Sequence, residues 1–557
     1  MGRGTRDFRR YAEALLSAED SAVRLKPEAP IQVALVYPNS YEVGMANLGY
    51  QSLYRLLNGC GETRCERAFL GEGPLRREVR TLESGRPLRD FDIVAFSLSF
   101  ELDYPNAVWM LHQAGIPLLR TERGEHDPLL LAGGAAVTLN PAPMMPIMDA
   151  IFIGEAEEAI EPIVAAYRRG RDAGRGRAGV VEEMGGVSGV LAPASVGTRW
   201  EGPAVARQYV AELRAHPTFS AVVTRHSHYR KMFLVEVGRG CSRGCSFCAA
   251  GHIYRPRRLL SAAEVEEVVR GHIFATKRVG LVGAALSDFP ELDQLCEHLA
   301  DAGYELGLSS FRIDALSERL LNALARANVR SITLAPEAGS ERLRFLINKR
   351  ISDAEIDRAL TLVSQAPVAT LRLYFLIGLP TEGESDLDAI VRMVREAAAR
   401  FAGKGKGRRV TVSINTVIPK AWTVFQWAAL PERAELQERR KWLEAQLRRV
   451  SGVSVRPKSL REELLQAVLS LGGQEVGHAL VLKVRRNLSW PQAWSEAGVD
   501  WRQLIHRPRT YRSTLPWDIV DAGIIRAQLW RQWCKMQGQV GEGEARPGDR
   551  VGGSKGS

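Results

Sequence analysis

The sequence predicts an α/β fold in three parts. These are a doubly wound (Rossmann-like) domain over 31–167, a partial (βα)6 TIM barrel over 231–429, and a helical C-terminal region over 430–537. Three observations carry this. Apolar runs of strand length alternate with helix-period segments through 31–429, the pattern of parallel strands joined by helical crossovers. Six such units fall in 231–429, too few for a closed eight-stranded barrel. Past residue 430 the strand-like runs stop and charged amphipathic segments take over. A short lead (1–30), a connector (168–230) and a Gly-rich charged tail (538–557) that reads as disordered complete the division.

In chain order, the lead carries Phe8, Tyr11, Ala14, Leu15 and Leu16 at amphipathic spacing. The first domain opens on a buried-strand pattern at 31–38, followed by a helix-period segment at 45–57. Further strands are expected at 93–97, 129–134 and 150–154. Open sheets of this kind bind ligands beyond the strand carboxyl ends. In the connector, 169–179 is rich in Arg, Gly and Ala and is expected to be mobile, with short strands at 190–194 and 208–213. Barrel strands are expected at 232–237, 279–283, 306–309, 331–334, 371–377 and 410–417. Helices are expected at 262–275, 291–302, 317–327 and 385–399, with Ser317 and Ser385 as N-caps. Helices at 435–450 and 459–471 follow. Trp490, Trp494, Trp501, Trp517, Trp530 and Trp533 then crowd one span. They read as the core of a small helical cap, with a substrate wall or a nucleobase-stacking surface as alternatives.

Composition narrows the class. The chain has 557 residues, 45% of them hydrophobic, and 75 basic against 64 acidic residues give a net charge of +11. Much of the excess lies in 168–177 and 404–409. Such a balance admits an RNA partner, but arginines interspersed with acids read first as a solvated surface. Of seven cysteines, Cys60, Cys65, Cys296 and Cys534 are scattered and make no disulfide framework. Residues 1–10 are charged rather than signal-like, and no apolar run approaches the roughly 18 residues that cross a bilayer. The expectation is a cytoplasmic protein with no membrane contact.

The chemistry is concentrated in Arg239-Gly240-Cys241-Ser242-Arg243-Gly244-Cys245-Ser246-Phe247-Cys248, directly after the first barrel strand. Thiolates are soft ligands suited to iron-sulfur clusters and zinc. Three on one loop can hold three corners of a cluster and leave the fourth open, and glycines at 240 and 244 let the loop wrap closely. A zinc site would need a fourth ligand, for which His252 is the candidate, although structural zinc sites usually show two separated pairs.

The Cys-x3-Cys-x2-Cys loop, with an aromatic residue before the third cysteine, resembles the cluster loop of radical SAM enzymes. That resemblance implies a [4Fe-4S] cluster on Cys241, Cys245 and Cys248, S-adenosylmethionine (SAM) at the open iron, and a flavodoxin- or ferredoxin-type electron donor. It makes Phe247 a cofactor-side aromatic and places SAM contacts at the strand ends. Ser287 and Asp288 fall where the family has Gly-Gly-Glu, and Asp288 has helix capping as its alternative role. Ser310 and Arg312 follow the third strand. Arg312 is a candidate for the methionine carboxylate, or for an ion pair with Asp314. Glu337, in Leu334-Ala335-Pro336-Glu337-Ala338-Gly339-Ser340, would take the ribose hydroxyls. Ile377 and Gly378, beside Leu379-Pro380, would pack on adenine.

The first domain is similar to the cobalamin-binding domain that precedes many radical SAM cores, through Ser97-Leu98-Ser99, Gly133-Gly134-Ala135-Ala136 and Gly154-Glu155-Ala156-Glu157-Glu158. The Asp-x-His-x-x-Gly motif that supplies a histidine to cobalt is absent, and Pro38-Asn39-Ser40-Tyr41-Glu42-Val43-Gly44 stands in its place. Cobalamin therefore binds without a protein imidazole, or the domain is a scaffold. The implied function is reductive cleavage of SAM to a 5′-deoxyadenosyl radical, with cobalamin-dependent methyl transfer or rearrangement left open. The alternatives are an RNA-modifying enzyme (methylation or methylthiolation) and a non-catalytic zinc-stabilised binding protein. Neither the substrate nor a catalytic residue follows from the sequence.

Overall fold

The computed structural model describes residues 3–192, 202–309, 311–401, 407–456 and 458–538. Ser310, residues 404–406 of the basic 404–409 stretch and the tail beyond 538 lie outside the described residues.

The first sheet has six strands: β1 (Ile31–Tyr37), β2 (Thr63–Phe69), β3 (Ile93–Ser97), β4 (Leu129–Gly133), β5 (Ala150–Phe152) and β6 (Val190–Leu191). Their order is β2-β1-β3-β4-β5-β6, all parallel except β6, which runs antiparallel to β5. The strand order reverses between β1 and β3, which in doubly wound sheets is where a ligand crevice opens. Strand β2 is absent from the sequence reading because Arg64, Glu66 and Arg67 break its apolar pattern. Arg67 is nonetheless buried, held 2.7 Å from Glu19 and 2.6 Å from Glu83, and such pairing is what permits charges inside a sheet.

Helix α1 (Leu48–Gly59), capped by Asn47, and helix α2 (Ile160–Asp172) lie on one face of this sheet. The Arg-rich stretch expected to be mobile is instead the end of α2 and helix α3 (Gly176–Gly185). Their apolar residues Ile163, Val164, Val180, Val181 and Met184 join the first domain's core. The first domain thus continues to β6, well past residue 167.

The barrel begins with β7 (Phe233–Arg239) and the short return strand β8 (Arg258–Leu259). It continues through β9 (Arg278–Gly283), β10 (Glu305–Leu308), β11 (Ser331–Glu337), β12 (Thr370–Ile377), β13 (Arg409–Thr416) and β14 (Val453–Arg456). The order β8-β7-β9-β10 connects to β11-β12-β13-β14 through a parallel bridge between Phe311 and Leu334. All but β8 run parallel. An open barrel of seven parallel strands replaces the expected six. The sequence predicts a wholly helical region here, yet after helix α4 (Arg433–Arg448) comes strand β14, whose Val-Ser-Val-Arg is too short and too half-buried to show a strand pattern. Ser317 caps its helix as expected, whereas Ser385 lies inside the helix Glu384–Phe401.

Of the six C-terminal tryptophans, Trp494, Trp517 and Trp533 are buried, in one cluster with Trp427 and with Val94, Met110 and Leu111 of the first domain, while Trp490, Trp501 and Trp530 are half-buried against it. Polar links run the same way: the Asn140 amide donates to the carbonyls of Ser470 (3.1 Å) and Gly472 (2.8 Å). Two ion pairs bring the carboxyl ends of the two sheets face to face. Glu155, after β5, meets Arg239 at the end of β7, and Glu101, after β3, meets Lys420 beyond β13.

Candidate active site

The thiol loop leaves β7 at Gly240, whose φ of +82° and surroundings both require glycine: a Cβ there would lie 2.4 Å from the Tyr254 carbonyl. The loop is docked by residues just after helix Glu341–Leu346. Ser246 N–H donates to the Ile347 carbonyl (2.9 Å), and the Asn348 amide donates to the Gly244 carbonyl (2.8 Å). Cys245 is buried and Cys241 and Cys248 are half-buried. Phe247, also half-buried, packs on the apolar cluster containing Ile253 and Ile347.

Burial pushes the Cys245 thiol up to about 11, with Lys349 pulling against it and Cys248, Cys241 and Glu337 adding to it. Burial also raises Cys248, while the N–H groups of Gly251 and Ala250 oppose the rise. Glu337 ends β11 at φ +69° and is raised by burial, with Lys349 Nζ 3.2 Å from its Oε1 in opposition. The three thiols, Glu337 and Lys349 therefore share one electrostatic neighbourhood.

Beside it stand Ser287, Asp288 and Arg312. Ser287 Oγ accepts the Arg312 backbone N–H (2.9 Å). Asp288 is paired with Arg243 of the thiol loop at 3.0 Å and lies 3.5 Å from Arg312. It caps no helix, since the following one begins at Leu292 after Glu291. Arg312 grips Asp314 with two nitrogens, at 3.0 and 2.8 Å, so the ion pair is formed. Ile377 is fully buried in the barrel core, and the Cβ direction of Gly378 is closed by Leu436 at 2.9 Å, leaving no room for a ring on that side. Sequence reasoning passed over Asn415, near the end of β13, whose buried Oδ1 has no partner among the described residues.

A cavity of about 570 Å³ lies against the first sheet between α1 and α2. Leu35, Leu53, Leu57, Ile93 and Ile163 form an apolar arm of its lining. Asn47, Ser97 and Ser99 line it at the β1/β3 reversal, and so do Arg239 and Gly240, the root of the thiol loop. Two lining residues hold unused polar atoms among the described residues: Ser52 Oγ, beside Leu53, and Nε and Nη1 of Arg207. None of the lining residues is a histidine.

Two family descriptions match in sequence: "Radical SAM proteins, N-terminal" over residues 49–193 and "Radical SAM superfamily" over 235–394. The chain belongs to the radical SAM superfamily. Radical SAM proteins use a [4Fe-4S] cluster and SAM, and the chain is an enzyme. It is 28% identical over 454 residues to the uncharacterized protein MJ0966 of Methanocaldococcus jannaschii, covering 80% of this chain and 90% of that one. It is 26% identical to the ribosomal protein uS12 methylthiotransferase RimO of Thermodesulfovibrio yellowstonii, over 29% of this chain and 41% of that one. A solved structure of the radical SAM methyltransferase TsrM from Kitasatospora setae, with cobalamin and a [4Fe-4S] cluster bound, overlays with a TM-score of 0.45 at 12% identity. The overlay covers 70% of this chain and 75% of that one.

Three thiols on one loop fit such a cluster, which takes one thiolate per iron. A single zinc ion would need its ligands drawn together. His252 is buried with Nδ1 2.8 Å from the Cys248 carbonyl. Because the chain is a radical SAM enzyme, the non-catalytic zinc reading is set aside. Among the described residues no helix is long and apolar enough to cross a membrane.

Proposed function

We propose that Cys241, Cys245 and Cys248 hold a [4Fe-4S] cluster at which SAM is reductively cleaved, and that the first-domain cavity binds cobalamin beside it. The observation that carries the pairing is that cavity and thiol loop share a wall, Arg239 and Gly240. When bound, the cluster supplies the electron that splits SAM into methionine and a 5′-deoxyadenosyl radical able to take hydrogen from carbon.

The chain's own residues position and shield. Glu337 offers two acceptor oxygens to the ribose hydroxyls, with Lys349 holding it in place. Ser287, Asp288 and Arg312 are assigned to the methionine end, and the unused Oδ1 of Asn415 to the substrate or SAM. Phe247 supplies apolar packing around the nucleoside; Ile377 and Gly378, closed off by the barrel core and Leu436, are not assigned to it. The apolar arm accepts a large ligand's hydrophobic end, Ser52 gives it one hydrogen bond, and the Nε and Nη1 of Arg207, whose Nη2 donates to the Arg255 carbonyl, meet an anionic group. The lining residues offer cobalt no imidazole. A flavodoxin- or ferredoxin-type protein is the proposed reductant.

The test is anaerobic purification and reconstitution with iron, sulfide and hydroxocobalamin. The expected result is about four irons per chain, retained corrin absorbance, and 5′-deoxyadenosine released on reduction with SAM. Absence of the nucleoside rejects the cleavage, and absence of corrin rejects the cavity assignment.

A further inference from the structure

The thiol loop is closed at its base. Arg239, the last residue of β7, and Arg258, the first of β8, are register partners across an antiparallel pair. The residues between them include all three cysteines. Two guanidinium groups are thus held side by side, both buried. Left alone they would repel each other in a medium that screens poorly.

One carboxylate from the other domain answers both. Glu155 takes Arg258 with two oxygens, each at 2.8 Å, and Arg239 at 2.9 Å, while also accepting the Val210 N–H at 2.9 Å. Glu157 and Glu236 complete the shell of Arg239, with Thr218 Oγ1 at 3.0 Å. Glu155 itself lines the first-domain cavity.

We propose that Glu155 is a positioning residue: a staple that fixes both ends of the thiol loop to the first domain and makes the cluster's setting depend on that domain. This rests on the cluster assignment above. Bidentate charged pairs fix orientation as well as contributing energy. Losing the charge leaves Arg258 with no carboxylate partner among the described residues, beside an Arg239 that keeps Glu157 and Glu236, and the loop between them shifts relative to bound SAM. Glu155 acts on the cluster and SAM only through Arg239 and Arg258.

The test uses the full chain, reconstituted anaerobically, as wild type, E155Q and E155D. The readouts are the electron paramagnetic resonance signal of the reduced cluster with and without SAM, and 5′-deoxyadenosine release per iron. E155Q is expected to alter the SAM-dependent change in the signal and to slow release by about tenfold or more, with E155D restoring part of both. An E155Q protein whose signal and release per iron match the wild type overturns the staple. Should E155Q fail to accumulate, R258K replaces it, keeping the charge and removing the two-pronged grip, with the same two outcomes. A wild-type chain with neither signal nor nucleoside overturns the functional reading and the staple with it; a competent wild type beside an unaltered variant overturns the staple alone.

Discussion

Lys349 Nζ stands 3.2 Å from Glu337 Oε1 at the carboxyl end of β11, and the same ammonium lowers the proton affinity of Cys245. A single cation thus serves both the Cys245 thiol, proposed to bind the cluster, and the carboxylate assigned to the ribose. Removing one member separates these duties. E337Q is expected to leave iron content unchanged and weaken SAM binding by about 1–3 kcal/mol, the usual result of spoiling a charged hydrogen bond. Equilibrium dialysis of labelled SAM against reconstituted protein measures it, and unchanged affinity removes Glu337 from the SAM site.

Replacing any one of Cys241, Cys245 and Cys248 by alanine is expected to drop iron loading and bring 5′-deoxyadenosine release to background. Cys241 and Cys248 are only half-buried, so C241A and C248A should keep the wild-type circular dichroism spectrum. A variant that keeps full iron and full release refutes the ligand assignment.

The apolar arm gives a size test. Ser52 is 3% exposed and lines it, so S52F fills space that the corrin reading needs. Corrin absorbance after gel filtration should be lost while iron content is retained. Retention of both would move the ligand out of the arm.

Lys420 and Glu101 pair across the domain junction, with side chains 16% and 4% exposed, and Gln466 donates to the other Glu101 oxygen at 3.1 Å. Burial raises Glu101, but Lys420 outweighs it and the group lies below the ordinary carboxylate range. K420M strands a buried anion and is expected to cost on the order of 3 kcal/mol in chemical denaturation. The double variant E101Q/K420M should recover part of that, and no recovery would show that the loss has another source.

Asp103 supplies a pH test. Burial lifts its carboxyl to about 6, with the Asn39 hydrogen bond opposing and Glu101 adding; the Asn39 amide is 2.9 Å away. Because the folded value lies above the unfolded one, its stabilisation is full below about pH 4 and is lost as pH rises through 6. D103N is expected to flatten that slope and be more stable than wild type at pH 8, by on the order of 1–3 kcal/mol. Parallel stability curves between pH 4 and 8 would contradict this.

Local sequence decided what local chemistry can encode. The thiol spacing, the Gly240 turn and the long apolar strands at 31–37, 93–97 and 370–377 were legible because each is written in consecutive residues. Strand β2 was not, since its buried Arg67 is tolerated only through Glu19 and Glu83, which lie 48 and 16 residues away. Strand β14 depends on β13 for its partners. The Arg-rich stretch looked like a linker until its aliphatic face found the first domain's core.

What the sequence determined by itself was the α/β class, the superfamily-like loop and the residue types available at the strand ends. Only the tertiary structure decided that the carboxyl ends of the two sheets face each other, that the tryptophans are shared between regions, and that Glu155 closes the base of the loop. The reason is physical: a buried charge is affordable only beside its counter-charge, and chain separation says nothing about which distant carboxylate that will be.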